Sequence, residues 1–146
     1  MLRFVDIPPV WMLAFGLAAV LLDRALPVAS VAVPDWVGWI VCGAGLAWAL
    51  AAGVLFLARR TPVEPRHEPQ VLLVEGPFRW NRNPIYTGMT MVLLGLAIIL
   101  GSVSAFIPAI AFPFLITWRF VRDEERALAA AFGTRAEEYL ARTRRW

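Results

Sequence analysis

The chain has 146 residues, 60% of them hydrophobic, a formal net charge of +3 and a mean hydropathy of +0.64. That is too apolar for a water-soluble domain of this length. All fourteen basic residues are Arg, and no basic patch with interleaved aromatics lies outside the apolar stretches, so the positive balance points to anionic lipid headgroups and away from nucleic acid.

Charge-free runs cover residues 9–22, 36–58 and 83–118. A bilayer core of ~30 Å needs roughly 20 helical residues. The last run is long enough for two passes, with a break at Gly101-Ser102-Val103-Ser104. The sequence therefore predicts an all-α integral membrane protein, one domain over residues 1–146, with spans near 9–26, 36–57, 84–101 and 105–121. The four-residue break makes the last two spans a tight helical hairpin.

The first span is expected to be a helix and not a signal peptide: it contains Pro8-Pro9, and Ala25-Leu26-Pro27 is a poor cleavage site. Span two is rich in Gly and Ala, which lets helices approach closely in lipid, within one chain or between chains. Its Cys42, the only cysteine, reads as a small packing residue. Between the second and third spans, Pro62, Pro65, Pro69 and Pro77 forbid one continuous helix. Val71 to Val74 form an apolar stripe there that lies in the interface or lines a pocket. Span three opens with Asn83 as an expected N-cap and Pro84 at the first helical position. Pro108 and Pro113 predict kinks in span four. Beyond it, Leu128, Phe132, Ala136, Leu140 and Thr143 recur at helical spacing, interrupted at Gly133. Thr134-Arg135-Ala136-Glu137 matches a capping box, so a pair of C-terminal helices is expected on the membrane surface.

Arginine placement sets the orientation. Five lie in the 58–83 connection, seven from Arg119 onward, one at Arg3, and only Arg24 on the opposite side. The positive-inside rule puts both termini and the long loop in the cytoplasm of a multi-pass protein, here assigned to a bacterial inner membrane. His67 is the only histidine and has no Cys or His partner, so no metal site is expected.

The stretch Val71-Leu72-Leu73-Val74-Glu75-Gly76-Pro77-Phe78-Arg79-Trp80-Asn81-Arg82-Asn83-Pro84-Ile85-Tyr86-Thr87-Gly88 resembles the signature of the isoprenylcysteine carboxyl methyltransferase family. Phospholipid methyltransferases share a related pattern. A second element follows in the expected order: Asp123-Glu124-Glu125, then Phe132-Gly133, then Tyr139. The resemblance covers roughly residues 60–143. It implies a membrane methyltransferase that takes S-adenosylmethionine from the cytosol and a lipophilic acceptor from the bilayer. By position, the cofactor pocket would include Gln70, Val71, Leu72, Leu73, Gly76, Phe78, Arg82, Asn83, Pro84, Ile85, Tyr86 and Glu124. Arg119 or Arg122 would hold an anionic acceptor, and Glu125 or Glu124 would serve as base for an amine. Transfer to an isoprenylcysteine-type carboxylate is the favoured expectation, with phospholipid or amine N-methylation as the alternative.

The sequence departs from the family pattern in three places. Asn83 stands where a His usually precedes the Pro, Gln70 stands where isoprenylcysteine enzymes often have His, and Phe120 aligns with the substrate-contacting Arg. Two other classes stay open on the sequence: an NADPH-dependent membrane reductase of similar architecture, and a non-catalytic membrane module. The acceptor and the oligomeric state are not set by the sequence.

Overall fold

A computed structural model describes residues 6–59 and 69–146. Arg3, Arg60, Pro62, Pro65, Arg66 and His67 lie outside the described residues. Six α-helices follow in order: α1 (Pro8–Ala25), α2 (Asp35–Ala58), α3 (Pro84–Leu100), α4 (Phe106–Ile116), α5 (Arg122–Phe132) and α6 (Thr134–Arg142). A 3-10 turn at Gly76–Arg79 precedes α3, and another at Val103–Ala105 leads into α4. A π turn, Thr117–Val121, joins α4 to α5.

Among the described residues three stretches are long and apolar enough to cross a bilayer: Pro8–Ala25, Asp35–Ala58 and the continuous Val103–Phe132. The third expected span, α3, has 17 residues, about 25 Å at 1.5 Å per residue, the lower edge of what a span requires. The outer faces of α1, α2 and α4 are apolar. Leu13, Leu17 and Leu21 form an exposed row on α1, as do Leu46, Leu50, Val54 and Leu57 on α2, with Ile107, Ile110 and Phe114 on α4. Large apolar side chains in such number on a surface need lipid as their solvent.

Inside, α3 is the central helix. Its Tyr86, Leu93 and Ala97 join Ala19, Ala109, Phe112, Ile116 and Phe120 in one buried cluster. Phe15 meets Phe112 edge-on, ring centroids 5.6 Å apart. The α2–α3 contact rests on two glycine pairs. A Cβ at Gly38 would lie 2.6 Å from the Gly95 carbonyl, and one at Gly45 would lie 2.6 Å from the Gly88 carbonyl. Glycine seven residues apart on both helices lets the backbones touch, so the small-residue face of α2 packs within this chain. At the far end, the α1–α2 connection pairs with the α3–α4 turn. Val31 N–H donates to Gly101 O at 2.8 Å, and Val103 N–H donates to Ala29 O at 2.9 Å. Gly101 adopts φ +79°, the left-handed cap that this turn needs.

Two local expectations are corrected. Asn83 occupies the N-cap position of α3 but makes no side-chain cap, because its amide is drawn to the C-terminal segment. The Thr134–Glu137 capping box does not form: Gly133 is the cap residue of α6 and Thr134 already lies in the helix. The chain turns at Gly133 through φ +54°, ψ −133°, a conformation open to glycine. α5 runs on from α4 through the π turn with no break, so only α6 is a separate C-terminal helix. Thr117 Oγ1 donates to Pro113 O at 2.7 Å, and this competition for a main-chain carbonyl accompanies the widened turn.

Candidate functional site

The start of α3, the turn before it, α5 and the last residues of the chain converge at one end of the bundle. Each is held there for a local reason. Pro84 fixes the entry of α3. Gly76, at φ +56°, lets the preceding loop reverse. The π turn extends α4 so that the acidic residues of α5 stand beside α3.

Two layers of polar contact result. In the first, Tyr86 on α3 donates its hydroxyl to Glu124 on α5 at 2.5 Å. In the second, Glu125 accepts from three guanidinium nitrogens. Arg82 Nη1 lies 2.9 Å from its Oε1, Arg145 Nε 2.9 Å from Oε1, and Arg145 Nη2 2.6 Å from Oε2. Arg82 also donates through Nε to Thr143 O at 2.7 Å and through Nη2 to Leu140 O. Its backbone N–H donates to Arg144 O at 2.8 Å, and the Asn83 amide donates to Arg145 O at 3.1 Å. Arg82 thus ties the loop, α5, α6 and the C-terminal segment into one unit.

Tyr139 on α6 closes the arrangement by donating to Phe78 O at 2.8 Å. Burial pushes its hydroxyl up to about 12, so it remains a donor at neutral pH. Asn81 is buried, donates through its amide to Thr87 Oγ1 at 2.6 Å, and leaves its Oδ1 buried without a hydrogen-bond partner among the described residues. A covered acceptor with nothing to accept is uncommon in folded proteins and fits a ligand's donor.

The structure brings together Arg82, Asn83, Pro84, Tyr86, Glu124 and Glu125. Ile85 is half-buried beside them. Leu73 and Phe78 form a second small core with Ala52, Leu55 and Phe56, and Phe78 meets Phe56 edge-on at 5.4 Å. Gln70, Val71 and Gly76 are exposed and Leu72 half-buried, so this part of the loop faces outward. Arg119 stands apart. Asp6 before α1 grips it with two oxygens, at 3.0 and 2.7 Å, and also accepts from Trp11 Nε1 at 3.1 Å. Arg122 is exposed.

Sequence reasoning missed Asp6, Asn81, Thr143 and Arg145. Asn81 lay inside the recognised motif but carried no signal separating it from its neighbours. The other three act across the fold, which spacing along the chain does not report. Among the described residues no group of three His, Cys, Asp or Glu side chains could hold a metal ion.

The described residues thus form an all-helical protein with a lipid-facing surface and, at one end, a paired Tyr and Glu beside an Arg–Glu–Arg cluster. The family model described as phospholipid methyltransferase matches residues 11–135, and the chain belongs to that family. The match starts in α1 and so takes in more of the chain than the 60–143 stretch carrying the sequence resemblance. No curated protein and no solved structure matches the chain significantly.

Proposed function

We propose that this protein is an S-adenosylmethionine-dependent methyltransferase acting on the nitrogen of a lipid headgroup, with its site on the cytoplasmic side of the membrane. The charge balance of the site supports this choice of acceptor. Asp6 occupies Arg119, and Glu125 occupies Arg82 and Arg145. Glu124 meets a phenol and, among the described residues, no guanidinium. A carboxylate acceptor needs a free cation beside the Tyr86–Glu124 pair, and Arg122, which has no ion pair among the described residues, is exposed; an amine needs a carboxylate that can take a proton, and Glu124 is one. This favours N-methylation over the isoprenylcysteine-type carboxylate expected from the loop.

S-adenosylmethionine, when bound, supplies a methyl group already activated on a sulfonium. The unpartnered Asn81 Oδ1, the Tyr86 ring and the start of α3 would hold it: an acceptor for a hydroxyl or ammonium, an aromatic face for the sulfonium, and unpaired amides for its carboxylate. The donor set therefore fits the cofactor. The protein's own work is orientation and proton management. A lipid ammonium is unreactive until it loses a proton, and Glu124, turned toward Tyr86, is placed to accept it. With the proton held on Glu124, the amine's lone pair would be free to take the methyl group that the cofactor would supply. Apolar walls from α3 and α4 keep water from competing.

The test is transfer of labelled methyl from S-adenosylmethionine by detergent-purified protein, with phosphatidylethanolamine and an S-farnesylcysteine analogue offered in parallel. Labelled phospholipid, lost in Glu124→Gln, supports the reading. Label on the farnesylcysteine carboxylate alone restores the O-methylation reading, and no cofactor binding by calorimetry removes both.

A further inference from the structure

A second feature lies on the outer side of α2, away from its glycine contacts with α3. Ala44, Ala47, Trp48 and Ala51 follow at helical spacing and form one wall of a groove of about 430 Å³, whose other wall is the 3-10 turn with Arg79 and Trp80. Three alanines keep the floor shallow, and the stripe from Ala44 to Ala51 runs about 10 Å along the helix, the length of several methylenes. Two polar groups break the apolar lining. Trp48 Nε1 is covered from water without a hydrogen-bond partner, a costly state in a membrane helix. Arg79 is exposed and has no carboxylate partner among the described residues, unlike its neighbour Arg59, which pairs with Glu75. Trp80 is 74% exposed, a flat apolar side chain at the mouth of the groove.

An apolar trough, a donor lacking an acceptor and a free guanidinium at the mouth match the parts of one molecule in order: hydrocarbon, ester carbonyl, phosphate. We propose that this groove seats one diacyl phospholipid, its acyl chain along the alanines, an ester oxygen within reach of Trp48, and its phosphate on Arg79. Arg79 suits a phosphate because its fork can donate two hydrogen bonds at once. The inference rests on the reading of the chain as a lipid-modifying enzyme for the choice of occupant, and on the groove alone for its existence. It goes beyond that reading in placing a lipid on α2, outside the Tyr86–Glu124 pair.

Native mass spectrometry of the delipidated full-length protein tests it, with dioleoyl phosphatidylethanolamine, dioleoylglycerol and inorganic phosphate as probes. The expected result is one saturable phospholipid, with dioleoylglycerol and free phosphate each at least roughly tenfold weaker. Arg79→Gln should weaken the phospholipid by about tenfold and bring it to the level of dioleoylglycerol. Ala47→Trp should fill the groove and abolish saturable binding, while Leu13→Phe on the outer face of α1 should change nothing. If Ala47→Trp fails to fold, the surface substitution at Arg79 decides. Non-saturating uptake, equal binding of dioleoylglycerol, or binding unchanged in Arg79→Gln would overturn the proposal. So would a dimer that Ala47→Trp converts to monomer, since the groove would then hold a second copy. Saturable, Arg79-dependent binding without methyl transfer would leave this site standing and remove the proposed activity.

Discussion

The Tyr86 hydroxyl and the Glu124 carboxylate meet at 2.5 Å across 38 residues of chain, one at the start of α3 and the other in the first turn of α5. The contact exists only because the α3–α4 hairpin returns the chain to the end from which it left. It predicts a split between two substitutions. Tyr86→Phe removes the donor and leaves Glu124 buried with no other hydrogen bond shown, so kcat should fall by about 10- to 100-fold. Glu124→Gln keeps the hydrogen bond and cannot take a proton, so kcat should fall further while cofactor affinity changes by less than about threefold. Calorimetry beside single-turnover kinetics checks both. Equal loss of binding in the two variants would move Glu124 from base to cofactor ligand.

Glu125 bridges Arg82 and Arg145 from a half-buried position. Glu125→Ala leaves two guanidinium groups facing each other and should destabilise the protein by about 2 kcal/mol. Arg82→Lys should lose nearly as much, because an ammonium cannot reach the Thr143 and Leu140 carbonyls and the carboxylate together. Thermal unfolding in detergent, followed by circular dichroism, reads both. A melting point unchanged in either variant would make the cluster a surface decoration.

The glycine contact separates positions that composition treats alike. Gly45→Ala should cost about 1–3 kcal/mol, because its Cβ would lie 2.6 Å from the Gly88 carbonyl. Gly43→Ala, with nothing within 4 Å of the added carbon, should be neutral or stabilise by up to about 1 kcal/mol through helix propensity. The same unfolding measurement decides, and a reversed order would place the α2–α3 contact on another face.

Asp6 and Arg119 form the only link shown between the start of α1 and the π turn through an ion pair among the described residues. Asp6→Asn frees much of the guanidinium's charge. If the acceptor is an amine, the variant should lose stability by about 1 kcal/mol and keep its preference for phosphatidylethanolamine. A gain of activity on carboxylate acceptors would show that Arg119 faces the substrate.

The membrane-embedded part of the fold was legible because its driving force is local. Apolar runs and the Gly101 turn act within a few residues, and the first three expected spans agree with α1, α2 and α3 to within a residue at each end, although α3 is shorter than the three stretches long enough to cross and α4 ends at Ile116. The positions of Tyr86 and Glu124 were legible through a motif. What the sequence hid was competition. Asn83 has every feature of an N-cap, yet its amide serves Arg145 O, which offers a partner 62 residues away. Thr134 begins a capping box on paper, but Gly133 turns the chain first. Arg119 reads as a ligand for an anion until Asp6 is seen on it. Asn83 and Arg119 each meet a partner far away in the sequence, which spacing along the chain does not report.

The carbonyls that seat Arg82 and Asn83 come from residues 140–145, which follow α1 to α4 in the sequence. The ribosome therefore delivers the bundle before it delivers the segment that locks the site. During synthesis, α1 to α4 can enter the bilayer and pack while Arg82 is still without its carbonyl partners. The Arg82 cluster then closes only after α1 to α4 have been made, so helix synthesis and closure of the cluster are separate events.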